Sequence, residues 1–164
     1  MSDLEKEEKL KTVIAEKMGA AVSGIAVQRA NRLWLDVKPE SLNELLAFMK
    51  GTGYIHIATI TGMDFGEQLG AIYHLTDRRM TVSITAKTPR TAPELPTVTG
   101  LFPGCEGYER ELEDMFGIRI NGLPPGRRYP LPDDFPADQH PLRKDWKAGD
   151  VYPEEQAAPA TEAK

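Results

Sequence analysis

The sequence contains a single cysteine, Cys105, and only three histidines among its 164 residues. One thiol cannot form an internal disulfide, and it cannot hold an iron–sulfur cluster, which needs about four ligands. We therefore expect a reducing compartment and no iron–sulfur centre on this chain. His56, His74 and His140 do not follow the spacing of a metal site, which favours ordinary histidines over ligands.

Long apolar runs and an excess of positive charge are also missing. No stretch is apolar for the roughly 18 residues of a transmembrane helix, and the charged start MSDLEKEEKLK lacks the apolar segment of a signal peptide. We expect a soluble or peripherally attached chain. The net charge of -5 and the pI of about 5.3 give no basic surface for nucleic acid.

The hydrophobic pattern of the first half predicts helices and strands in mixed order. One helix is predicted over residues 3–18, and a second begins at a capping box of Ser41 and Glu44 and ends at Gly51. Strands are predicted at residues 24–28, 32–37, 54–60, 70–76 and 80–86, the first two as a hairpin. The sequence therefore predicts an α+β fold, with two or three helices on a mixed, largely antiparallel sheet of about five strands.

Proline sets the C-terminal part of the chain apart. Eight of the 13 prolines lie from Pro124 onward, which excludes a regular helix or a central strand there. Apolar residues still recur through this region, unlike in a low-complexity linker: Tyr129, Leu131, Phe135, Leu142 and Trp146. We therefore divide the chain into an α+β domain at 1–120, an extended docking arm at 121–150 and a disordered tail at 151–164.

A third helix is predicted from Gly107 to Phe116, within the acidic stretch YERELEDMFG. Its apolar stripe is Tyr108, Leu112, Met115 and Phe116. The other positions carry charge, which is typical of a docking helix.

The charged side chains of this helix are expected to have partners both within the helix and outside it. Arg110 and Asp114 are spaced as an i, i+4 ion pair, whereas Glu109 and Glu113 repel each other at the same spacing. Glu109 and Glu111 are therefore expected to have basic partners outside the helix. The nearest candidates are Arg127, Arg128 and Arg143.

Enzymatic alternatives are weaker. Glu109 and Glu113 could divide acid and base work in a small stand-alone hydrolase, but no motif supplies the other groups of a catalytic site. Cys105 continues the apolar stripe, which favours a buried inert thiol over a nucleophile. The tripeptide Asp64-Phe65-Gly66 matches a kinase motif by chance, because the other kinase loops are missing. A free binding module is a third alternative.

YERELEDMFGI, followed by RRYPLPDDFP and HPLRKDW, resembles a known signature. It is similar to that of the C subunit (peripheral-arm, 30 kDa-type) of proton-pumping NADH:quinone oxidoreductases, and of the equivalent subunit of energy-converting membrane-bound hydrogenases. IATITGMDF and AIYHL extend the resemblance over about residues 54–146. The matching positions are Glu109, Arg110, Glu111, Asp114, Phe116, Gly117, Arg127, Arg128, Pro141, Leu142, Arg143, Lys144 and Asp145.

The resemblance implies a subunit with no active site and no cofactor of its own. It implies docking to the hydrogenase-large-subunit-like chain and the iron–sulfur small subunit, which carry the iron–sulfur clusters and, in hydrogenases, nickel–iron. It also implies a place on the cytoplasmic side of the inner membrane, with membrane contact only through partners. The residues it assigns to docking are Glu109, Arg110, Glu111, Asp114, Phe116, Arg127, Arg128, Leu142, Arg143, Lys144 and Asp145.

The two branches of this family differ in the residues that lead up to Arg127 and Arg128 of the signature. Respiratory members typically read G-H-P-D-L-R-R, whereas here Gly122 is followed by LPPGRR, without the histidine and the aspartate. The segment LPDDFP and the short chain look more like the hydrogenase branch. We therefore expect that branch, with the C subunit of a respiratory NADH:quinone oxidoreductase as the alternative. Both branches transfer electrons, to quinone or to protons, and translocate protons.

Overall fold

A computed structural model describes residues 4–150. The tail predicted at 151–164 lies outside the described residues. The helices are α1 (Glu5–Met18), α2 (Leu42–Gly51) and α3 (Glu106–Phe116). The strands are β1 (Val22–Arg29), β2 (Arg32–Val37), β3 (His56–Asp64), β4 (Gln68–Thr76), β5 (Thr81–Pro89), β6 (Glu94–Pro96) and β7 (Arg119–Asn121).

The main sheet has five strands in the order β1-β2-β5-β4-β3. Only β2 and β5 pair in parallel, and the other neighbours are antiparallel. The predicted α+β fold with a mixed, largely antiparallel sheet is therefore confirmed. A second, two-stranded parallel sheet of β6 and β7 was not predicted, because each strand has three residues and β6 ends in a proline.

The three helices share one hydrophobic core with alternate residues of the sheet. Ile14 of α1, Leu46 of α2 and Leu112 of α3 all belong to this core, together with Tyr73 and Ile84 at the centre of the sheet. α3 lies especially close to β3. A Cβ atom on Gly62 would stand 2.3 Å from the Phe116 ring, so only glycine permits this approach.

Two details of the sequence prediction are wrong or incomplete. The Ser41 side chain makes no capping hydrogen bond, because a 3₁₀ turn over Pro39–Ser41 leads directly into α2. Strands β3, β4 and β5 are longer than predicted, since the hairpin between β3 and β4 closes only at Phe65, whose N–H donates to Gln68 O at 2.9 Å. These longer strands bring Asp64 and Arg90 to the end of the sheet where the C-terminal segment returns.

Within residues 4–150, no helix has both the length and the apolar character needed to cross a membrane.

Candidate docking site at the end of α3

The C-terminal end of α3 is the point on which the proline-rich segment converges. The last carbonyls of a helix have no partner within the helix and need donors from elsewhere. Gly117 ends α3 in the left-handed conformation, at φ 64°. A Cβ atom there would stand 2.3 Å from His140 Nε2 and 2.5 Å from Arg143 Nη2, so the glycine also makes room for the returning chain.

Three successive carbonyls at this end accept hydrogen bonds from residues 140–143. The pairs are His140 Nδ1 to Asp114 O at 2.9 Å, Leu142 N to Met115 O at 3.1 Å, and Arg143 Nε to Phe116 O at 2.7 Å. Because a carbonyl can only accept, the proton of His140 lies on Nδ1. The Arg143 cation and the imidazole also lie at the negative end of the helix dipole, where positive charge is favourable.

Asp114 binds a second part of the same segment. Its carboxylate accepts hydrogen bonds from Arg128 Nε at 2.8 Å and from Leu131 N at 3.2 Å. Arg128 also donates to the Phe135 carbonyl and lies 5.8 Å from the centre of the Phe135 ring, which is buried. Asp114 therefore fixes the course of residues 128–135.

The predicted ion pair between Arg110 and Asp114 is wrong. Arg110 instead bonds Glu106, one turn earlier in α3, at 2.7 Å, and donates to Pro124 O at 2.8 Å. The reason is tertiary, since the returning segment places Arg128 on Asp114. Arg110 is left to hold the start of that segment.

Within residues 4–150 Glu109 has no basic partner, which contradicts the prediction. It is fully buried, and its two oxygens accept hydrogen bonds from Thr97 Oγ1 and from Val98 N, both at 2.6 Å. Burial raises the pKa of Glu109, and the two neutral donors offset only part of that rise. For Glu111, no ion pair within residues 4–150 is present, and the side chain is half-buried.

Asp64 is a third buried carboxylate and holds the end of the segment. The whole residue is 5% exposed, and its carboxylate accepts hydrogen bonds from Gly66 N at 2.8 Å, Arg90 Nη1 at 2.8 Å and Lys144 N at 2.9 Å. Arg90 also pairs with Asp145. Burial raises the pKa of Asp64, but the hydrogen bonds from Arg90, Lys144 and Gly66 outweigh it and lower that pKa to about 2.

We call this set of contacts the arm clamp: Asp64, Arg90, Asp114, Arg128, His140 and Arg143. Sequence reasoning placed Asp114, Arg128 and Arg143 in the site but missed the role of Asp64, Arg90 and His140. Two signals for Asp64 are present in the sequence: it lies in the stretch IATITGMDF that resembles the family, and it stands two residues before Gly66 at a hairpin, which suits an aspartate that bonds the backbone two residues on.

The predicted docking residues divide into inward and outward groups. Glu109, Asp114, Phe116, Arg128 and Arg143 are engaged within the chain, and Arg110 and Asp145 have partners there. Arg127 forms an exposed pair with Asp133 at 3.1 Å. Leu142 is 48% exposed, Tyr129 is 55% exposed, and the Lys144 side chain is exposed. These three outward residues are called the arm surface below.

The remaining candidate groups have ordinary surroundings. Cys105 is buried, and burial raises the pKa of its thiol to about 11, as expected of an inert cysteine. His74 bonds Ser83 Oγ at 2.9 Å through Nδ1. No group of three or more potential metal ligands occurs in the described part of the chain.

An α+β domain whose C-terminal segment is clamped onto its last helix, with an apolar surface left outward, is typical of a subunit built for assembly. The chain belongs to the family described as the respiratory-chain NADH dehydrogenase 30 Kd subunit, whose model matches residues 35–152.

Curated relatives carry names from more than one respiratory complex. The C subunit of NADH-quinone oxidoreductase from Sinorhizobium medicae is 34% identical over 144 residues, which cover 84% of this chain and 70% of that protein. The C/D subunit of the same enzyme from Phocaeicola vulgatus is 41% identical over 117 residues, and the match covers 68% of this chain but only 22% of that longer protein. The C subunit of F(420)H(2) dehydrogenase from Methanosarcina mazei is 28% identical, with 80% of this chain and 85% of that protein covered.

Solved structures have the same fold. A chain of the membrane-bound sulfane sulfur reductase, an archaeal respiratory membrane complex, superposes with a TM-score of 0.81 and 23% identity over 98% of this chain and 96% of its own length. A trypsin-resistant fragment of Nqo5 gives a TM-score of 0.60 at 25% identity and covers 73% of this chain and 99% of the fragment.

The buried Glu109 yields a prediction about stability. Glu109→Leu removes the acceptor for Thr97 and Val98, and each unsatisfied buried donor costs about 1–3 kcal/mol of unfolding free energy. Glu109→Gln should lose much less, because the amide oxygen can accept from Val98 N while its NH₂ donates to the Thr97 hydroxyl. Urea denaturation at neutral pH measures both, with Glu111→Leu as the half-exposed control. A Gln variant as unstable as the Leu variant would contradict the proposed contacts.

Asp64 yields a prediction about pH. Its pKa is lowered in the folded state, so its stabilising contribution is present above the unfolded pKa of 3.8 and disappears as the pH falls towards about 2. The shift corresponds to about 2 kcal/mol of unfolding free energy. Asp64→Asn should therefore be less stable than the wild type at pH 6, and the difference should shrink below about pH 4.

Thermal or urea unfolding across this pH range measures the Asp64 contribution. Asp133→Asn is the matched control, because Asp133 and its partner Arg127 are both exposed and such pairs contribute little. A difference between wild type and Asp64→Asn that stays constant down to pH 2 would show that the clamp does not depend on the Asp64 charge.

Proposed function

We propose that this chain is a non-catalytic peripheral subunit of a complex I-like membrane redox complex, and that it docks the hydrogenase-large-subunit-like chain through the arm surface. The observation that carries the proposal is the orientation of the signature residues. Asp114, Arg128 and Arg143 of the signature are engaged within the chain, so they position the arm, while three other side chains are left outward: Leu142, Tyr129 and Lys144.

An exposed leucine and tyrosine on a fixed backbone are suited to binding another protein. A few well-packed residues, among which tyrosine is enriched, supply most of the affinity at protein interfaces, and a buried leucine adds apolar area. Fixing such residues beforehand lowers the entropy cost of binding. The Leu142 N–H and the Lys144 N–H are both bonded to the domain, which holds these side chains in place. The neighbouring Lys144 charge adds orientation more than affinity. The iron–sulfur small subunit is the second proposed partner, and no nucleic acid is involved.

Two branches of the family remain as candidates, and each has its own support. The missing histidine and aspartate before Arg127 and Arg128 favour the energy-converting hydrogenase branch, as does the segment LPDDFP that follows them. The sequence relatives named as C subunits of NADH-quinone oxidoreductase favour the respiratory branch. We propose the hydrogenase branch, with electron transfer to protons or quinone, and a location on the cytoplasmic side of the membrane through partner subunits. Purification of the native complex and identification of its electron acceptor separate the branches.

The arm surface yields a prediction about assembly. Leu142→Glu keeps the backbone hydrogen bond to Met115 and replaces a side chain that is already 48% exposed, so unfolding free energy should change by no more than about 0.5 kcal/mol. Burying a leucine at an interface stabilises a complex by roughly 1.5–3 kcal/mol. Recovery of the Leu142→Glu chain in the purified complex should therefore fall about ten- to a hundredfold relative to the wild type. Deleting the arm is a poorer test, because the α3 carbonyls and Asp114 would lose their donors.

The control for this assembly experiment is Ile55→Glu. Ile55 is 67% exposed and lies outside the arm, so the charge should leave assembly unchanged if the arm surface is the docking site. Full recovery of Leu142→Glu in the complex would contradict the proposed docking role.

The cofactors of the complex are proposed to lie on partner subunits. The isolated full-length chain should then be colourless and contain no stoichiometric flavin, nickel or iron, because one buried thiol and three separated histidines do not form a cluster site. Visible absorption and metal analysis of carefully purified protein check this. Stoichiometric iron or flavin would overturn it.

A further inference from the structure

A groove of about 460 Å³ lies at the end of the sheet opposite the arm clamp. Its walls come from α1, from the turn between β1 and β2, from the loop after α2 and from the turn between β4 and β5. The clamp lies where β4 begins, and the groove lies where β4 ends. The nine residues of β4 are separated by eight rises of roughly 3.4 Å, so the two ends of the strand are about 27 Å apart.

The floor of the groove is apolar. Leu10 and Val13 of α1 face Tyr54 and Met80 across it, and Val13 is 37% exposed. This surface can receive a side chain of the size of leucine or phenylalanine.

The rim of the groove is positively charged. Lys6 and Lys9 of α1 and Arg79 of the β4–β5 turn border it, and none of the three has a carboxylate within ion-pair distance in residues 4–150. Asp77 also borders the groove, but its carboxylate accepts hydrogen bonds from Arg79 N at 2.8 Å and Met80 N at 2.7 Å. Burial raises the pKa of Asp77, but these hydrogen bonds help to lower it overall and keep the group negative, so the lining carries three cations against one carboxylate. On a chain with a net charge of -5, this excess of positive charge favours an acidic occupant.

A buried carboxylate fixes the groove in shape. Glu7 of α1 is buried, and its Oε1 accepts a hydrogen bond from Asn31 N at 2.6 Å. Its Oε2 is buried with no hydrogen-bond partner in the described part of the chain. The bond to Asn31 holds the first half of α1 against the β1–β2 turn, so the groove does not need to form on binding.

We propose that this groove is a second docking surface, which receives a peptide segment of another subunit with an apolar side chain flanked by carboxylates. The proposal rests on the proposed function in that the segment belongs to the same complex. The side-chain amide of Asn31 in the lining offers a donor and an acceptor that suit a peptide backbone better than a lipid acyl chain. With the arm clamp at the other end of β4, the chain would contact partners at both ends of the sheet.

Charge reversal on α1 tests the rim. Lys6→Glu with Lys9→Glu alters two exposed positions near the start of the helix, where negative charge is favourable to the dipole, so the fold should be retained. Lys11→Glu with Lys17→Glu is the control, because it makes the same change in net charge on the same helix away from the groove. We expect about tenfold lower recovery of one partner chain with the first pair alone, since like charges replace attraction at the rim.

Site-specific cross-linking identifies the occupant. Val13→Cys labelled with benzophenone maleimide places the probe in the groove, and the native Cys105 is only 3% exposed. In the purified complex, the cross-linked peptide should carry an acidic residue within about three positions of an apolar one, and Lys6→Glu with Lys9→Glu should abolish the cross-link.

Three other outcomes decide against the inference. Cross-linking to lipid, or to a peptide without acidic residues, overturns it in favour of another occupant. The composition of the complex could stay unchanged with Lys6→Glu and Lys9→Glu, and the probe at residue 13 could give no cross-link. These two results together overturn the second docking surface but leave the proposed role of the arm surface intact. A wild-type chain that copurifies with no partner overturns the proposed function and this inference together.

Discussion

The end of α3 is the constraint on which the C-terminal half of the protein depends. A helix that ends at the domain surface leaves carbonyl oxygens without partners, and here residues 26 or 27 positions further along the chain supply the donors. This requirement accounts for the left-handed Gly117, for the histidine and arginine that follow, and for the course of the segment between them. It also accounts for the prolines. Because the prolines prevent a regular helix or central strand, the N–H groups of Leu131, Leu142 and Lys144 have no partners within such an element and bond the domain instead.

Four carboxylates are buried in the described part of the chain, and two of them, Glu109 and Asp64, show how the hydrogen-bond donors decide the direction of the pKa shift. Glu109 receives a hydroxyl and a backbone N–H, so desolvation prevails and its pKa rises. Asp64 receives the Arg90 guanidinium as well as two backbone N–H groups, so its pKa falls to about 2. The same residue class therefore serves two purposes. Glu109 organises the loop before α3, whereas Asp64 holds the end of the arm through a charge that acid can remove.

Periodicity predicted the elements of the sheet and the helices, because their apolar residues repeat along the chain. Leu42, Leu45, Leu46 and Met49 occupy one face of α2 as expected, and Leu33, Leu35 and Val37 face the core from β2. The partners of Glu109 and Asp114 could not be predicted in this way. Local spacing offered Arg110 for Asp114, but Arg128 reaches it through a long return of the chain, and no pattern within α3 encodes that return. The short β6 and β7 strands were missed for the same reason, since their pairing depends on tertiary contacts.

Under the proposed function, a charged signature that is engaged internally would act on a partner indirectly. Asp114, Arg128 and Arg143 determine where the arm lies, and the arm determines where Leu142 and Lys144 point. Replacing a clamp residue would then alter the position of the docking side chains, whereas replacing an outward residue would alter only the contact itself. Rigid presentation matters because a free proline-rich segment would lose more conformational entropy on binding than one already bonded to its domain. If the proposed function holds, the acidic stretch that ends in Gly117 contributes to assembly through Asp114 and Gly117, which fix the conformation of the residues after it.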